Sequence, residues 1–463
     1  MCGLTGFFRP TDRAALQPDE QRALRAMNAA IRHRGPDEDG FYEGPGVGLA
    51  ARRLSIIDVA ASHQPQTGPS GQTFCVFNGE IYNYRAIREE LSALGHVFTT
   101  AGDTEMLPHA YERWGIEGML TRLNGMFGFA IYDARSHELF LARDRMGIKP
   151  MYVAELPGVV LFGSELKALL PHPALRRDID VGALARYLVL EYVPSPRAIY
   201  RGVSKLEPAH YLRVGPDGAT SRTCYWEPRY TSDREGWGHP EVPLPRAGAD
   251  TYTDWSQPLL HAIREAVRAR LVSEVPIGAL LSGGLDSSAI SALMSELVPD
   301  LRTFSVEFEE ASFDESSFSR MVAEHIGSRH TSRVFGASDF RDALDRVVAF
   351  QDEPFGDASI LPTHFLSRMV KDEGVTVVLS GDGADELFAG YPTYYAHQLA
   401  ARGSAIPGAG LLVRGARRAL DYLPSSYENV TADYKARRFL AGLDYETPIR
   451  HASWLGAFLD PEM

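Results

Sequence analysis

The second half of the chain alternates two hydrophobic patterns. Short apolar runs predict strands at 276–281, 302–307, 329–334 and 375–379. Segments with apolar residues at helical spacing lie between and after them and predict helices at 287–297, 314–326, 339–350 and 362–373. This alternation is typical of a doubly wound parallel sheet covered by helices. Ligands of such sheets bind at the carboxyl ends of the strands, so the polar clusters found there are candidate sites.

The first half of the chain has shorter strands and fewer helices. Its apolar runs predict strands at 74–77, 126–132, 139–142 and 159–162. The first of these strands is expected to stop at Asn78 and Gly79, and a helix is expected to follow because Ile87 and Leu91 share one helical face. Asp103 is suited to capping a second helix. This half is therefore expected to form a mixed, sheet-rich domain.

A stretch rich in proline and glycine separates the two patterns. Periodicity is lost after Tyr211, and we interpret 228–252 as an exposed connection before the helical pattern resumes at Leu259. A chain of 463 residues is also too long for one ordinary hydrophobic core. We therefore predict a first domain over 2–215, a linker over 216–255 and a second domain over 256–463.

Composition and charge narrow the class of protein. The chain is 44% apolar and 23% charged, as globular proteins are, and its net charge of −13 argues against a nucleic-acid or membrane-surface binder. Its three cysteines suit neither a disulfide framework nor a zinc site. No apolar run approaches the length of a membrane helix, and the N-terminus does not resemble a signal peptide. We therefore predict a cytoplasmic protein.

The segment Ser282–Ser288, SGGLDSS, joins a predicted strand to a predicted helix. Gly283 and Gly284 let backbone N–H groups approach an anion closely, and the helix start adds unpaired N–H donors. Three serine hydroxyls, of Ser282, Ser287 and Ser288, are further donors, and Asp286 can hold the Mg²⁺ of a polyphosphate. No lysine follows the glycines, so this is not a Walker A loop.

The alternative for this segment is an ordinary strand-to-helix turn with a serine cap, which three serines and an aspartate at this spacing make the less favoured interpretation. The segment resembles the PP-loop of ATP pyrophosphatases. The resemblance implies cleavage of ATP to AMP and pyrophosphate.

Two further polar clusters follow predicted strands. The first cluster is TFSVE (303–307), in which Val306 could touch the face of an adenine. The second cluster, SGDGADE (380–386), carries three carboxylates that repel one another unless cations lie among them. Asp385 and Asp286 could share Mg²⁺ on pyrophosphate, because Mg²⁺ takes one or two carboxylates together with phosphate oxygens. The alternative is a helix start with acidic residues in its first turn.

The N-terminus offers a nucleophile. Removal of Met1 would leave Cys2 with a free α-amino group beside its thiol, and that amine can serve as general base. The alternative is a small buried cysteine at the start of a strand. Position two alone would favour this alternative.

A series of motifs in the first half resembles class II glutamine amidotransferases. It comprises Met1-Cys2-Gly3, HRGPD (33–37), RRLSIID (52–58), NGEIYN (78–83), AGDTE (101–105), GMFGFAIYD (125–133), RDRMGIKPMY (143–152) and GSELKAL (163–169). The resemblance implies an αββα N-terminal-nucleophile hydrolase in which Cys2 attacks the side-chain amide of glutamine and releases ammonia.

The same resemblance implies roles for individual residues. Asn78 and Gly79 would form the oxyanion hole. Arg53 would hold the α-carboxylate of glutamine. Glu80 and Asp103 would receive its α-ammonium group.

The two halves together resemble glutamine-dependent asparagine synthetase. The resemblance implies that ATP adenylates the β-carboxylate of aspartate and that ammonia, carried through an internal tunnel, attacks the acyl-adenylate. It implies the following placements: Leu280 and Val306 flank adenine, Ser282, Ser380 and Gly381 lie near AMP, Asp286 and Asp385 hold Mg²⁺ and pyrophosphate, and Asp382 lies near the acceptor. Glutamine, aspartate and ATP are the expected small-molecule partners, with no nucleic acid or membrane partner, and a homodimer is allowed for.

The chain departs from that family in two ways. Asp382 stands where many members have glutamate, which leaves aspartate or another carboxylate open as the acceptor. The RVPFLD-like segment and later lysine of the family's helical region are also absent, so the second domain is expected to be incomplete. We prefer an amide ligase over two alternatives, a glutaminase without synthesis and a nucleotide-sensing module that catalyses nothing.

Overall fold

The computed structural model describes residues 2–228, 252–404, 409–420, 431–443 and 445–456. The chain forms two compact units, one of Met1–Asp180 with Ser195–Val275 and the other of Val181–Pro194 with Pro276–Met463. The sequence did not indicate that 181–194 belongs with the second unit. The exposed connection predicted at 228–252 falls largely on 229–251, outside the described residues. The domains over 2–215 and 256–463 and the linker over 216–255 stay predictions.

In the described part of the first unit, two six-stranded antiparallel sheets occur. The first has the order β10-β8-β9-β1-β3-β2 and consists of β1 (Gly3–Phe8), β2 (Glu38–Gly44), β3 (Val47–Arg53), β8 (Tyr152–Leu156), β9 (Val159–Gly163) and β10 (Val203–Lys205). The second has the order β12-β11-β7-β6-β5-β4 and consists of β4 (Gln66–Thr67), β5 (Thr73–Ile81), β6 (Gly125–Asp133), β7 (Glu138–Arg143), β11 (His210–Val214) and β12 (Thr220–Cys224).

The two sheets pack face to face, because apolar side chains alternate between the two faces of their strands. In β6, Ala130 and Tyr132 pack among residues of both sheets, whereas Phe129 and Ile131 point to the opposite face. That opposite face packs against two helices. Because successive side chains of a strand point to opposite faces, one apolar strand can contribute to both layers of core.

Helices cover the outer faces of the two sheets. Helices α1 and α4 pack on the first sheet, and α2 and α3 pack on the second. The helices of this unit are α1 (Pro18–Ala30), α2 (Tyr84–Ala93), α3 (Met106–Arg122), α4 (Leu166–Leu169) and α6 (Tyr252–Ala269). The layers therefore follow the order helix, sheet, sheet, helix, and the predicted αββα sandwich is confirmed.

The second unit contains a parallel sheet with the order β15-β14-β13-β16. Its strands are β13 (Ile277–Leu280), β14 (Arg302–Phe308), β15 (Arg329–Phe335) and β16 (Val377–Leu379). Its helices are α5 (Val181–Leu190), α7 (Leu285–Leu297), α8 (Ser316–Ile326), α9 (Ala337–Phe350), α10 (Ile360–Asp372), α11 (Ala384–Phe388), α12 (Pro392–Ser404), α13 (Ala409–Leu420), α14 (Ala432–Gly442) and α15 (Thr447–Leu455).

Neighbouring residues of β14 show that helices lie on both faces of this parallel sheet. Phe304 packs with Met369 and Val370 of α10, whereas the hydroxyl of Ser305 lies 3.4 Å from that of Ser319 on α8. The predicted doubly wound parallel sheet is therefore confirmed. Within the described ranges, no helix has the length and apolar character needed to cross a membrane.

Two local predictions in the first unit are wrong. Asn78 and Gly79 do not end their strand, because β5 continues to Ile81 and pairs with β6 over its full length. Asp103 does not cap α3, which begins after Glu105 without a side-chain cap. Its carboxylate instead accepts a hydrogen bond from the Ile81 N–H at 2.9 Å. At Asn78-Gly79, pairing with β6 outweighs the local preference for a turn. At Asp103, the hydrogen bond from Ile81 replaces the expected helix cap.

Replacing Gly6 with alanine tests the close packing within the first sheet. The new Cβ would lie 2.3 Å from the Gly48 carbonyl oxygen and 2.5 Å from the Phe162 ring. We expect Gly6→Ala to cost about 1–3 kcal/mol, measured as a lower unfolding temperature of the first unit. The matched control is Gly128→Ala in β6, where the nearest atoms lie at 3.4 Å. Equal losses for the two variants would contradict the packing described here.

Candidate active sites

Cys2 lies directly before β1, half-buried, and main-chain contacts hold it on both sides. Its Sγ accepts a hydrogen bond from the Leu54 N–H at 3.4 Å. Its carbonyl oxygen accepts one from Nε of Arg34 at 2.9 Å, and Arg34 in turn donates to Glu165 at 2.7 Å. Arg34 therefore orients the main chain of the candidate nucleophile, consistent with a structural role.

The Asn78 side chain is buried, and neither its amide nitrogen nor its amide oxygen has a partner among the described protein atoms. It lies on β5, beside Gly79. A Cβ at Gly79 would lie 2.2 Å from the Met126 carbonyl oxygen, so only glycine fits there. Leaving a buried amide unpaired costs about 1–3 kcal/mol. The arrangement therefore offers an amide N–H donor that has no acceptor in the part of the chain that the structure describes.

Two carboxylates, of Glu80 and Asp103, act on the Cys2 thiol. Burial raises the pKa of the Cys2 thiol, the hydrogen bond from Leu54 opposes this shift, and Glu80 and Asp103 reinforce it. Burial, and then Asp103, raise the pKa of Glu80 well above its usual range. Burial raises the pKa of Asp103 to about 6, against hydrogen bonds that include the one from Ile81. The site therefore holds two strained carboxylates that a bound cation would relieve.

Arg53, which was predicted to hold the glutamine carboxylate, is buried beneath the loop 57–59. Its guanidinium donates to the carbonyl oxygens of Ile57 at 3.2 Å, Asp58 at 2.6 Å and Val59 at 3.1 Å, and to Glu38 at 3.0 Å. In the structure Arg53 thus organises this loop. Its role in binding glutamine stays a prediction.

Sequence reasoning missed Lys149, which lies in the motif RDRMGIKPMY. Its side chain is buried, and its Cβ lies close to Gly128, the cross-strand neighbour of Asn78. Burial lowers the pKa of Lys149, and so does Arg34, whereas Glu80 and Cys2 raise it. The signal in the sequence was a lysine inside an amidotransferase motif, but the pattern alone does not show which way its ammonium points.

Asp144 holds the loop that carries Lys149. Its carboxylate accepts hydrogen bonds from four backbone N–H groups, those of Phe127, Met146, Ile148 and Lys149 at 2.9–3.2 Å. A carboxylate that satisfies several N–H groups replaces secondary structure in fixing a loop. The Arg143 guanidinium binds the carbonyl oxygens of Gly147 at 2.7 Å and Lys149 at 2.8 Å, so two side chains fix the conformation of 144–149.

In the second unit, Ser282–Ser288 comprises the end of the turn between β13 and α7 and the first turn of α7. Gly283 has φ of +88°, and a Cβ there would lie 2.6 Å from the Ser319 nitrogen, so glycine is required. The Ser282 hydroxyl lies 2.9 Å from that of Ser287 and accepts from the Gly284 N–H at 3.2 Å. The buried Ser288 hydroxyl has no partner among the described protein atoms, and no side chain caps α7.

The structure brings the cluster 380–386 against this turn. Strands β13 and β16 pair in parallel, with Ala279 opposite Leu379, so the segments that follow them leave the sheet side by side. Gly381 packs so closely on the start of α7 that a Cβ would lie 2.7 Å from the Ser287 nitrogen and 2.8 Å from the Asp286 Cβ. The two clusters predicted to share a nucleotide therefore form one surface at the carboxyl edge of the sheet.

The remaining nucleotide-site predictions are placed near this edge. Leu280 and Val306 are half-buried and contact two different apolar clusters, around Phe304 and around Phe335. Asp382 is exposed and accepts a hydrogen bond from the Ser380 hydroxyl at 2.8 Å. Asp286 and Asp385, the predicted metal ligands, are half-buried. The described residues include no cluster of three or more histidine, cysteine, aspartate or glutamate side chains that could hold a metal.

Two family models match the chain, and between them they account for both units. Residues 1–226 match the glutamine amidotransferase domain, and residues 259–454 match the asparagine synthase model. The protein therefore pairs a glutamine amidotransferase domain with an α/β asparagine synthase domain.

Several curated proteins are similar over most of the chain. "Asparagine synthetase [glutamine-hydrolyzing] 1" of Bacillus subtilis is 37% identical over 85% of this chain and 59% of its own length. A putative asparagine synthetase of Mycobacterium tuberculosis is 40% identical over 85% of this chain and 61% of its own length. A putative asparagine synthetase of Methanocaldococcus jannaschii is 33% identical over 85% of this chain and 76% of its own length.

The chain belongs to the family of glutamine-hydrolysing asparagine synthetases. It spans 59–61% of the length of the Bacillus and Mycobacterium relatives. Among solved structures, a glutamine phosphoribosylpyrophosphate amidotransferase of B. subtilis aligns with 72% of this chain and 81% of its own, at 15% identity and a TM-score of 0.35.

Asp103→Asn tests the electrostatic strain in the first site. Because folding raises the pKa of Asp103 from 3.8 to about 6, its ionised form destabilises the fold above pH 6, and the penalty fades as the pH falls towards 4. We expect Asp103→Asn to raise the unfolding temperature by several degrees at pH 8, and to raise it less at pH 5.

Asp133→Asn is the matched control. Burial alone would raise the pKa of Asp133, but hydrogen bonds from Arg135, one of them at 2.9 Å, lower it overall. This variant should therefore lower the unfolding temperature at pH 8. A loss of stability in Asp103→Asn at pH 8 would contradict the proposed strain.

Proposed function

We propose that this protein transfers the amide nitrogen of glutamine to a carboxylate that ATP has activated, with release of AMP and pyrophosphate. The observation that carries the proposal is the buried Asn78 amide, unpartnered by described protein atoms, on the strand that also bears Gly79 and Glu80. An amide held without a partner is what a site needs if negative charge develops beside it only during the reaction. The similarity to glutamine-hydrolysing asparagine synthetases supports the same activity.

The first reaction is the hydrolysis of glutamine at Cys2. We propose that Met1 is removed and that the free α-amine of Cys2 accepts the proton of its own thiol as Sγ attacks the amide carbon of glutamine. The carbonyl oxygen becomes an oxyanion, which the Asn78 amide and the Gly79 N–H stabilise by about 3 kcal/mol for each donor. The ammonium form of the amine then protonates the leaving nitrogen. Ammonia departs, and water hydrolyses the thioester to glutamate.

The strained carboxylates account for glutamine recognition. Asp103 is buried and helps to raise the pKa of the half-buried Glu80, and the α-ammonium of glutamine would neutralise that repulsion. Arg53 is proposed to contribute to the α-carboxylate site, directly or through the 57–59 loop that it supports. Binding of glutamine would thus be favoured because it removes the repulsion between the two carboxylates of the free site.

The second reaction is proposed to take place at the carboxyl edge of the parallel sheet. The glycine turn and the uncapped start of α7 supply N–H groups for the phosphates, and the Ser288 hydroxyl is a further donor. The carboxylates of Asp286 and Asp385 suit Mg²⁺, which would neutralise charge on the pyrophosphate. Leu280 and Val306 are proposed to flank adenine, with Ser282, Ser380 and Gly381 near AMP.

Aspartate is the proposed acceptor, supported by the names of the relatives. Asp382 is proposed to lie near the acceptor and to assist ammonia attack. We further propose that ammonia passes internally from one reaction to the other, because in water near neutral pH it would be protonated and lose its nucleophilicity. The three free thiols, of Cys2, Cys75 and Cys224, support a cytoplasmic location.

Cys2→Ala separates the two reactions. We expect glutamate release from glutamine to fall by roughly 10³-fold or more, because the attacking sulfur is lost. Amide formation with ammonium chloride as nitrogen source should persist, since the second site is untouched. Both rates would be measured on the full chain by amino-acid analysis. Equal loss of the two activities would contradict separate sites, and unchanged glutamate release would exclude Cys2 as the nucleophile.

The acceptor is tested by following pyrophosphate release with ATP, Mg²⁺, ammonium and a panel of carboxylates. We expect aspartate to increase the release strongly, while glutamate and succinate give only the background without acceptor, because Asp382 and its neighbours must match one chain length. Release with another carboxylate would identify a different amidation. Glutamate release from glutamine without pyrophosphate under any acceptor would show a glutaminase and contradict the proposed ligase.

A further inference from the structure

The segment Arg270–Glu274, between α6 and β13, docks on the first unit, of which it is part. The Arg270 guanidinium lies 4.5 Å from the centre of the Tyr82 ring. Val272 packs against the core cluster between the second sheet and helices α2 and α3. The Glu274 N–H donates to the Ile56 carbonyl oxygen at 2.9 Å. These contacts fix the position of the Glu274 side chain.

The Glu274 carboxylate binds two consecutive backbone N–H groups. One oxygen accepts from the Asp58 N–H at 3.0 Å, and the other accepts from the Val59 N–H at 3.1 Å. Hydrogen bonds to an ionised carboxylate are roughly twice as strong as neutral ones. Asp58 has φ of +49°, in the left-handed region that a residue other than glycine occupies only when its surroundings impose it. Glu274 is one of the groups that impose it.

The same loop connects two residues of the candidate glutamine site. On its carbonyl side, Arg53 donates to Ile57, Asp58 and Val59. The Asp58 carboxylate accepts from the Ala101 N–H at 2.7 Å, two positions before Asp103. Residues 57–59 thus connect Arg53 to the segment that contains Asp103. Glu274 binds the backbone N–H groups of this loop.

We propose that Glu274 is a positioning residue for glutamine, which fixes the 57–59 loop and, through it, Arg53 and the segment of Asp103. The inference rests on the proposed glutaminase function and extends it. Glu274 lies outside residues 1–226, the range that matches the amidotransferase family, and eight positions before Ser282 of the nucleotide turn. Glu274 lies instead within residues 259–454, which match the asparagine synthase model, so the glutamine site is completed by a residue of that range.

Glu274→Gln in the full chain tests the proposal. A glutamine side chain has one acceptor oxygen and one NH₂ donor, so one of the two loop N–H groups loses its partner. We expect the KM for glutamine to rise about tenfold, as for one lost hydrogen bond to a charged group, with kcat within about threefold of the original. Glu274→Asp keeps both acceptor oxygens and should recover part of the affinity.

Glu265→Gln is the matched control, because Glu265 lies on α6 and pairs locally with Arg268 at 2.5 Å, with no other ion pair to the described residues. Its KM should be unchanged. Hydrogen exchange of the peptide containing 56–60 supplies a second readout, and it should be faster in Glu274→Gln and unchanged in Glu265→Gln.

The outcomes separate the two proposals. Glutamate release by the unsubstituted chain is measured first, and its absence would overturn both the glutaminase function and the role of Glu274. If that release is normal, an unchanged KM in Glu274→Gln, or a fall in kcat without a rise in KM, overturns the role of Glu274 alone. A raised KM with faster exchange confined to the 56–60 peptide supports it.

Discussion

The side-chain amide of Asn78 is the constraint on which the first unit depends. It is buried on β5 and finds no partner among the described protein atoms, although folding normally pairs such groups. Gly79 beside it has no room for a side chain. A fold under selection for stability alone would pair or replace this amide. The layers of sheet and helix around it keep it fixed, which is the condition for stabilising charge that appears only in a transition state.

In the second unit, the constraint is close backbone packing at two glycines. Gly283 and Gly381 both lie where a Cβ would clash with the start of a neighbouring helix, of α8 and α7 respectively. Two turns thereby approach each other at the carboxyl edge of the parallel sheet, and the first helical N–H groups of α7 remain uncapped by side chains. Backbone proximity of this kind, with hydroxyls and carboxylates around it, suits a polyphosphate better than a neutral ligand.

The sequence predicted what depends on local pattern and missed what depends on tertiary contact. Strand and helix periodicity predicted a mixed, sheet-rich first half and the parallel sheet of the second half. The αββα sandwich was implied by the family resemblance, which the order of the motifs indicated. The prediction that the strand ends at Asn78-Gly79 was wrong, because pairing with β6 extends β5 to Ile81. The bidentate contact of Glu274 with the 57–59 loop joins residues more than 200 positions apart, and no pattern along the chain encodes it.

The central claim, that Cys2 with a free amine works beside an oxyanion site, has one most direct test. The purified protein would be treated with a chloromethyl ketone analogue of glutamine, digested, and its cysteine peptides identified by mass spectrometry. We predict that the N-terminal peptide begins at Cys2 and carries the label, and that an excess of glutamine prevents the labelling. Retention of Met1, or label on Cys75 or Cys224 in place of Cys2, would contradict the account.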